Sequence, residues 1–175
     1  MKKLFVALSR YNRNTNAVIC EYLSSTSQDK LLLERESYYP SIVHSFLHVM
    51  KSDCKWSSRL SKLDPEGHLK TIDADTVNPI STESIAAGHT AIPEIGALRK
   101  EIDDRIVRFI SALDAEQFER SVEIPFGQNN ITRKLWELLL QWFNHQTHHR
   151  GQISLQLELI GQENDYSAVL GKIEA

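Results

Sequence analysis

The sequence predicts an all-α protein, a four-helix bundle with one long crossover connection. Four segments repeat apolar residues every three or four positions, as the inward face of an amphipathic helix does. A chain of 175 residues can bury one full hydrophobic core, so we expect a single domain over residues 1–175. Residues 64–90 lack this periodicity, and a connection of that length usually has a topological or functional reason. A bundle with a crossover accounts for both observations.

The first helix is predicted at residues 2–25, with apolar or aromatic side chains at Leu4, Leu8, Tyr11, Val18, Ile19, Tyr22 and Leu23. The stripe becomes polar at its centre, at Asn12, Thr15 and Asn16. One interpretation is a solvated patch or local side-chain capping. The other is that these side chains face a polar cavity inside the bundle.

The second helix is predicted at residues 41–63, with Pro40 in its first turn and Pro65 just beyond its end. A short helix is expected near residues 81–87, inside the long connection. The third helix opens at Pro93 and has the cleanest helical periodicity in the chain. Its inward positions are Ile95, Leu98, Ile102, Ile106, Phe109 and Leu113.

A small hairpin is expected before the last helix, because apolar and polar residues alternate at residues 119–126 and a Gly-Gln-Asn-Asn turn follows. The fourth helix should begin at Ile131 or Thr132 and continue to about Ile160, where Gly161 suits the C-cap. Its inward stripe contains Leu135, Leu138, Trp142, His145, His149, Ile153, Leu157 and Ile160.

The composition argues against nucleic-acid and membrane partners. The formal net charge is -3, without the basic excess that tracks a phosphate backbone. No run approaches the ~18 apolar residues of a membrane span, and the N-terminus lacks the pattern of a signal peptide. Two cysteines, Cys20 and Cys54, are too few for a disulfide scaffold, so both should be reduced and mostly buried. We expect a soluble, cytoplasmic protein.

A histidine pair on the fourth helix is the main chemical signal. His145 and His149 are four residues apart, so their rings lie nearly above one another on the helix, about 6 Å apart along the axis. They continue the inward stripe, where imidazole nitrogens need partners. A shared metal ion would satisfy one nitrogen on each ring. The alternative is a pair of hydrogen-bonded core histidines.

The second helix supplies further nitrogen ligands, since His44 and His48 are again four residues apart. Two histidines from one helix and one from another would hold a metal from one side and leave positions open to water or substrate, which suits a catalytic ion. Nitrogen ligands fit Zn, Ni, Co or Fe better than Mg or Ca, and we expect Zn or Ni. A closed site with a fourth protein ligand such as His44 would instead indicate a structural ion.

Residues around the pair are candidates for contacts with a ligand histidine or with a substrate. His148 and Arg150 are each turned about 100° from His149 on the helix. Arg150 should form a salt bridge to another helix or to a dimer partner, or hold a substrate carboxylate. Asp53 should hydrogen-bond a histidine or Arg150, or pair with a local charge. Gly151 should mark a helix crossing or a dimer contact.

Two segments resemble the DinB family of damage-inducible, metalloenzyme-like proteins. Residues 144–153, NHQTHHRGQI, resemble that family's most diagnostic segment, which has the form H-x-x-x-H-R-G-Q. In residues 46–56 a histidine, His48, is followed five positions later by Asp53 and then by Trp56, as in the family's second helix. Tyr11, Asn12 and Asn16 resemble its first helix. Order and approximate spacing agree over nearly the whole chain.

The resemblance implies a bundle with the crossed connectivity of that family, often assembled as a homodimer. It implies that His48, His145 and His149 are the metal ligands and that His44 is not. Characterised members include S-transferases that use low-molecular-weight thiols such as bacillithiol, mycothiol or glutathione. We therefore expect a metal-dependent thiol S-transferase acting on an electrophilic small molecule. The alternatives are a metal-dependent hydrolase or isomerase, and a non-catalytic, metal-binding stress-response protein.

Gln146 occupies the position that the acid takes in the HExxH motif of zinc proteases, which counts against a protease of that class.

Overall fold

The chain is mostly helical, with one two-stranded sheet, in a computed structural model that describes residues 1–69 and 77–173. The long helices are α1 (Lys2–Ser25), α3 (Ile42–Leu60), α5 (Ile92–Ala112) and α6 (Leu135–Glu158). The short elements are α2 (Gln28–Leu32), α4 (Thr82–Ala86), β1 (Ser121–Phe126) and β2 (Asn129–Lys134), with 3-10 turns at Ser61–Leu63, Ala115–Glu119 and Leu170–Lys172. The predictions of a mainly helical chain and of a hairpin before the last long helix are confirmed. Within the described ranges no helix is long and apolar enough to cross a membrane.

Helix α1 has the predicted bounds and packs against α5 and α6. Contact on two sides buries its polar centre, so Asn12, Thr15 and Asn16 are all buried. The solvated-patch interpretation of these residues is therefore wrong. Leu4 is exposed, and Phe5 fills the core in its place, because the buried face of α1 is rotated by one position at its first turn.

Helix α3 begins one residue later than predicted. The Ser41 hydroxyl accepts a hydrogen bond from the backbone N–H of His44, which makes Ser41 the N-cap and leaves Pro40 outside the helix. The prediction that Pro40 lies in the first turn is wrong. After Leu60 the chain tightens into a 3-10 turn, so the predicted end at residue 63 includes this turn. Helix α3 packs against α6 and α5, which brings its histidines to α6.

The connection between α3 and α5 carries the predicted short helix, α4. Its N-cap is a reciprocal pair, in which Ser81 and Ser84 each accept a hydrogen bond from the other residue's backbone N–H. Residues 70–76 of the predicted crossover lie outside the described residues. The five-residue α2 has no counterpart in the sequence prediction, because a helix of one to two turns is too short for a periodic signal.

The hairpin delays the start of the last helix. Strands β1 and β2 pair antiparallel from Ser121↔Lys134 to Phe126↔Asn129, and Gly127 takes the left-handed conformation that the turn requires, with φ 64°. Because β2 continues to Lys134, α6 begins at Leu135 rather than at residue 131 or 132. The helix ends at Glu158, two residues before the predicted end.

Candidate metal centre

Three histidines from two helices meet in one cluster. His48 comes from α3, and His145 and His149 lie one turn apart on α6. The Nε2 atom of His145 lies 3.1 Å from Nε2 of His48 and 3.1 Å from Nε2 of His149. If one nitrogen is taken from each ring, the three nitrogens all lie within 4.8 Å of one another. The structure thus brings together the three residues that the sequence analysis selected.

The outward nitrogens of two rings have hydrogen-bond partners. His149 Nδ1 lies 2.7 Å from Gln152 Oε1, and an amide oxygen only accepts, so Nδ1 carries the proton and Nε2 keeps its lone pair. His48 Nδ1 lies 2.8 Å from the hydroxyl of Tyr39. His145 Nδ1 is buried, and no partner for it is found among the described residues.

This arrangement fits a divalent transition metal. A neutral imidazole has one N–H and one lone pair, so Nε2 of His145 can donate to only one of its two neighbours at a time. Metal–nitrogen distances of about 2.0–2.1 Å place two nitrogens of one ion about 3 Å apart, close to the spacing of these Nε2 atoms. An ion would use all three lone pairs at once, whereas hydrogen bonds among the three rings cannot satisfy them.

The protein environment keeps the cluster neutral. Burial, followed by the neighbouring His149 and His145, lowers the pKa of His48 to about 4. Burial is also the main cause that lowers the pKa of His145 and of His149. Imidazole must be neutral to bind a metal, so the site is prepared for an ion at neutral pH. The pKa of Tyr39 is raised, mainly by burial, which keeps its phenol protonated.

The metal-free protein is expected to lose stability as the pH falls from about 6.5 towards 4. Histidine in the unfolded chain titrates near 6.5, whereas folded His48 resists protonation until a pH of about 4. Between these values the unfolded state binds more protons, so acid favours unfolding. Thermal midpoints of chelator-treated protein across this range would test the expectation. His48→Gln should show a shallower dependence on pH than wild type; equal slopes would contradict it.

Comparison with known proteins agrees with the geometry. The sequence profile of the DinB family matches residues 1–174. The chain belongs to the DinB family. It is also 29% identical over 156 residues to Protein DinB of Bacillus subtilis (strain 168), an alignment that covers 88% of this chain and 84% of that relative. The resemblance inferred from the histidine segments is therefore confirmed.

Two further histidines of this DinB-family protein lie near the cluster without joining it. The two ring nitrogens of His44 are engaged by the hydroxyls of Ser41, at 2.9 Å, and Thr82, at 3.2 Å. His148 is exposed, and its Nε2 lies 3.3 Å from the amide nitrogen of Gln152. His148 therefore contacts the residue that supports His149, and its predicted contact with a substrate stays a prediction.

Asp53 holds a different set of partners from those predicted. Its carboxylate is 0% exposed and accepts hydrogen bonds from Trp142 Nε1 at 2.6 Å, Gln146 Nε2 at 3.2 Å and Arg99 Nη1 at 2.6 Å. The prediction of a histidine or Arg150 as its hydrogen-bond partner is wrong, because the carboxylate faces other residues of α6 and Arg99 of α5. Its pairing with Arg99 matches the remaining alternative, a local charge.

A buried polar network continues from Asp53 across α5 and α1. Arg99 also pairs with Asp103 through two hydrogen bonds of 2.9 and 2.6 Å. Asn16 donates to Asp103 at 3.0 Å and approaches Gln146 at 3.4 Å. Burial opposes the charge on Arg99, but the carboxylates of Asp103 and Asp53 outweigh it and raise the pKa of Arg99. Asn16 therefore faces a buried polar network, and the predicted contact of its side chain with a ligand or substrate stays a prediction.

Arg150 is a buried cation, 2% exposed, and it does not form the predicted salt bridge to another helix within the described residues. It donates to Gln146 Oε1 at 3.2 Å and Thr147 Oγ1 at 3.0 Å, and it lies over the ring of Tyr11 at 4.9 Å. No carboxylate of the described residues comes within salt-bridge distance of it. The aromatic face of Tyr11 replaces the predicted anion. Asn12 lies buried on the same helix as Tyr11.

Tyr39, which supports the cluster, and Arg99, the cation of the polar core, were not predicted from the sequence, and Gln152 was given no role in the motif that contains it. Gln152 follows His149 by three positions, so helical spacing could have indicated it. Arg99 and Asp103 are an i,i+4 pair beside the apolar stripe of α5, a pattern that usually lies on a solvated face. Tyr39 lies in an irregular segment and has no sequence signal.

Gly151 is exposed, and a Cβ added there would meet nothing within 4 Å in the described part of the chain. A crossing with another helix of the same chain is therefore not its role, and the alternative of a dimer contact stays a prediction. Cys20 and Cys54 are both free thiols, as predicted; Cys54 is buried and Cys20 is partly exposed.

Proposed function

We propose that this protein is a metal-dependent transferase that joins a low-molecular-weight thiol to an electrophilic small molecule. The observation that carries the proposal is the three-histidine cluster, to which the described residues add no fourth ligand. In residues 1–69 and 77–173, the group that could hold an ion contains His48, His145 and His149 and no further His, Cys, Asp or Glu. Three protein ligands leave room for an exogenous ligand, which is typical of catalytic rather than structural ions.

A divalent transition metal, Zn or Ni, held by these histidines would supply a Lewis acid that lowers the pKa of an approaching thiol. The protein's own groups do the rest. Gln152 and Tyr39 keep the rings of His149 and His48 oriented towards one point. The neutral histidines add no charge of their own, so the local field favours an anionic sulfur once an ion is present.

A cavity next to the cluster is suited to the electrophile. It has a volume of about 310 Å³, and its walls include Tyr39 and Gln152, the two residues that contact the ligand histidines. Leu155 and Leu159 provide exposed apolar walls, and Arg35 and Glu36 place one charge of each sign in the lining. Pockets with mostly apolar walls and a few polar groups are typical small-molecule sites. An apolar electrophile would match this lining.

Cys20 and Cys54 are both poorly suited to act as the nucleophile. Burial raises the pKa of Cys20 to about 12, so its thiol stays protonated at neutral pH. Cys54 is fully buried. An external thiol therefore fits better than a cysteine of the chain. Gln146, next to His145, offers no protein base for hydrolysis, since its amide is engaged by Asp53 and Arg150. Water activated by the metal itself needs no such base, so hydrolysis is the alternative that the assay has to separate.

In the proposed reaction the thiol sulfur forms a bond to an electrophilic carbon, the leaving group departs with its bonding electrons, and the thiol proton passes to solvent. A suitable test uses protein loaded with Zn or Ni, a chlorodinitrobenzene as the electrophile, and bacillithiol, mycothiol and glutathione in separate assays. We expect thioether formation and chloride release well above the uncatalysed rate with at least one thiol. Chelator-treated protein and His145→Ala should return the rate to background.

Other outcomes of this assay would favour other functions. Background rates with every thiol, although a metal is bound, would contradict the transferase proposal. Ester cleavage by loaded protein without added thiol would identify a hydrolase. Bound metal with neither activity would support the non-catalytic, stress-response alternative.

We further propose that the four long helices form the crossed four-helix bundle expected of the family. Their packing, with α1 against α5 and α6 and α3 against α6 and α5, supports this arrangement. A homodimer also belongs to the proposal. The outer face of α6, where Leu140, Gly151 and Leu155 are exposed, would be its contact surface.

A further inference from the structure

Tyr39 contacts two of the three clustered histidines, although it lies in the irregular segment before α3. Its ring stacks on the ring of His48, with centroids 4.3 Å apart and an interplanar angle of 29°. Its hydroxyl lies 2.8 Å from Nδ1 of the same histidine. The ring also meets that of His149 edge to face at 5.3 Å. The side chain thus restrains His48 through both its face and its polar end.

Tyr39 is itself held in place by α6. The amide nitrogen of the Gln156 side chain donates to the Tyr39 carbonyl at 3.0 Å. The amide oxygen of Gln156 accepts from the Ser45 hydroxyl of α3 at 3.3 Å. The Ser37 hydroxyl donates to the same carbonyl at 2.6 Å. Gln156 is buried, so this bridge is shielded from water. The helix that supplies His145 and His149 therefore also fixes the residue that contacts His48.

We propose that Tyr39 is a positioning residue for the metal centre, which sets the orientation of the His48 ring. The inference rests on the proposed function only in requiring that the histidine cluster binds an ion. When the phenol oxygen accepts the Nδ1 proton of His48, the Nε2 lone pair is left free and faces the other two histidines. The stacked ring hinders rotation of the imidazole out of that position. Outer partners of this kind usually decide how well a histidine binds a metal.

The other two histidines show why Tyr39 matters. His149 has the equivalent support from Gln152, whereas Nδ1 of His145 is buried without a partner in the described part of the chain. Two of three ligands are therefore fixed from outside, and loss of the Tyr39 hydroxyl would leave one. The neighbouring Tyr38 is 89% exposed and contacts the edge of the Tyr39 ring at 4.9 Å. It provides a matched control for the chemistry of the substitution.

The test compares Tyr39→Phe with Tyr38→Phe, using Co²⁺ as a spectroscopic probe on the full chain. Tyr39→Phe keeps the stacked ring and removes only the hydroxyl. We expect its Co²⁺ affinity, measured by competition with a chelator, to fall about 10- to 100-fold. At saturating Co²⁺ its visible absorption bands should differ from those of wild type, because His48 is no longer fixed. Tyr38→Phe should match wild type in both measurements.

The absorption spectrum at saturating Co²⁺ distinguishes an altered metal site from a loss of fold. Circular dichroism of the metal-free variants would report a loss of fold directly. Wild-type affinity together with a wild-type spectrum in Tyr39→Phe would overturn the positioning role while leaving the metal centre intact. An equal loss in Tyr38→Phe would also overturn it, since a general effect of the segment would then be responsible. If wild type itself binds no Co²⁺, the proposed metal centre fails, and this inference fails with it.

Discussion

Replacing His48, His145 or His149 by alanine is expected to leave a protein that purifies essentially without metal, whereas wild type should carry about one ion per chain. Each substitution removes one of three nitrogen ligands from a cluster whose Nε2 atoms lie 3.1 Å apart in two pairs. Two ligands cannot hold an ion on one side as firmly as three, so the loss should exceed the roughly 100-fold seen for outer partners. Metal content by mass spectrometry, on protein without a histidine tag, measures the effect directly.

The chain contains two good controls for that experiment. His44 lies one turn before His48 on α3, and its ring nitrogens are engaged by Ser41 and Thr82. His148 is adjacent to His149 but exposed. Alanine at either position should retain the ion, with at most a small decrease at His148. Loss of metal from His44→Ala, or normal metal content in any of the three ligand variants, would contradict the assignment of the cluster.

The cluster could be predicted from sequence because helical geometry alone places residues four apart on one face. His145 and His149 were fixed relative to each other by that rule. The choice of His48 over His44 came from the family pattern, since both lie on α3 at similar depth. The structure gives the physical reason: the hydroxyls of Ser41 and Thr82 engage His44, whereas His48 faces α6.

The surroundings of the cluster could not be predicted in the same way. Asp53 was noted as a polar residue near the site, but its partners Trp142 and Arg99 lie on other helices, 89 and 46 positions away in sequence. Periodicity describes one helix at a time and says nothing about which faces meet. Tyr39 depends on the path of an irregular segment, which no local pattern encodes. Such contacts belong to tertiary packing.

The largest loss of stability is expected from removing the buried cation Arg99. It is 1% exposed and lies between the carboxylates of Asp53 and Asp103, which are themselves buried. Arg99→Met keeps much of the side-chain volume but leaves two buried carboxylates without their counter-ion. We expect the free energy of unfolding to fall by about 3–5 kcal/mol, the usual cost of breaking a buried pair from one side. Urea unfolding followed by circular dichroism would measure it.

Lys100→Met is the matched control, because the next residue of the same helix forms an i,i+4 pair with Asp104 while its side chain is 76% exposed. Its loss should cost no more than about 0.5 kcal/mol. Comparable losses at the two positions would show that the Arg99 pairs contribute no more than surface charges.

The dependence on pH should distinguish lost charge from lost packing in Arg99→Met. Burial raises the pKa of Asp103, and the Arg99 guanidinium opposes that rise, so without the guanidinium the pKa of Asp103 should lie further above that of the unfolded chain. The folded variant would then bind more protons than the unfolded one, so its stability should recover as the pH falls below neutral. A packing defect would show no such recovery.

Because Asp53 lies on α3 and its partners Trp142 and Gln146 lie on α6, the same substitution should loosen the spacing of these helices. The metal site needs His48 of α3 to meet His145 and His149 of α6. Metal affinity should therefore fall together with stability, although Arg99 contacts none of these histidines in the hydrogen bonds described.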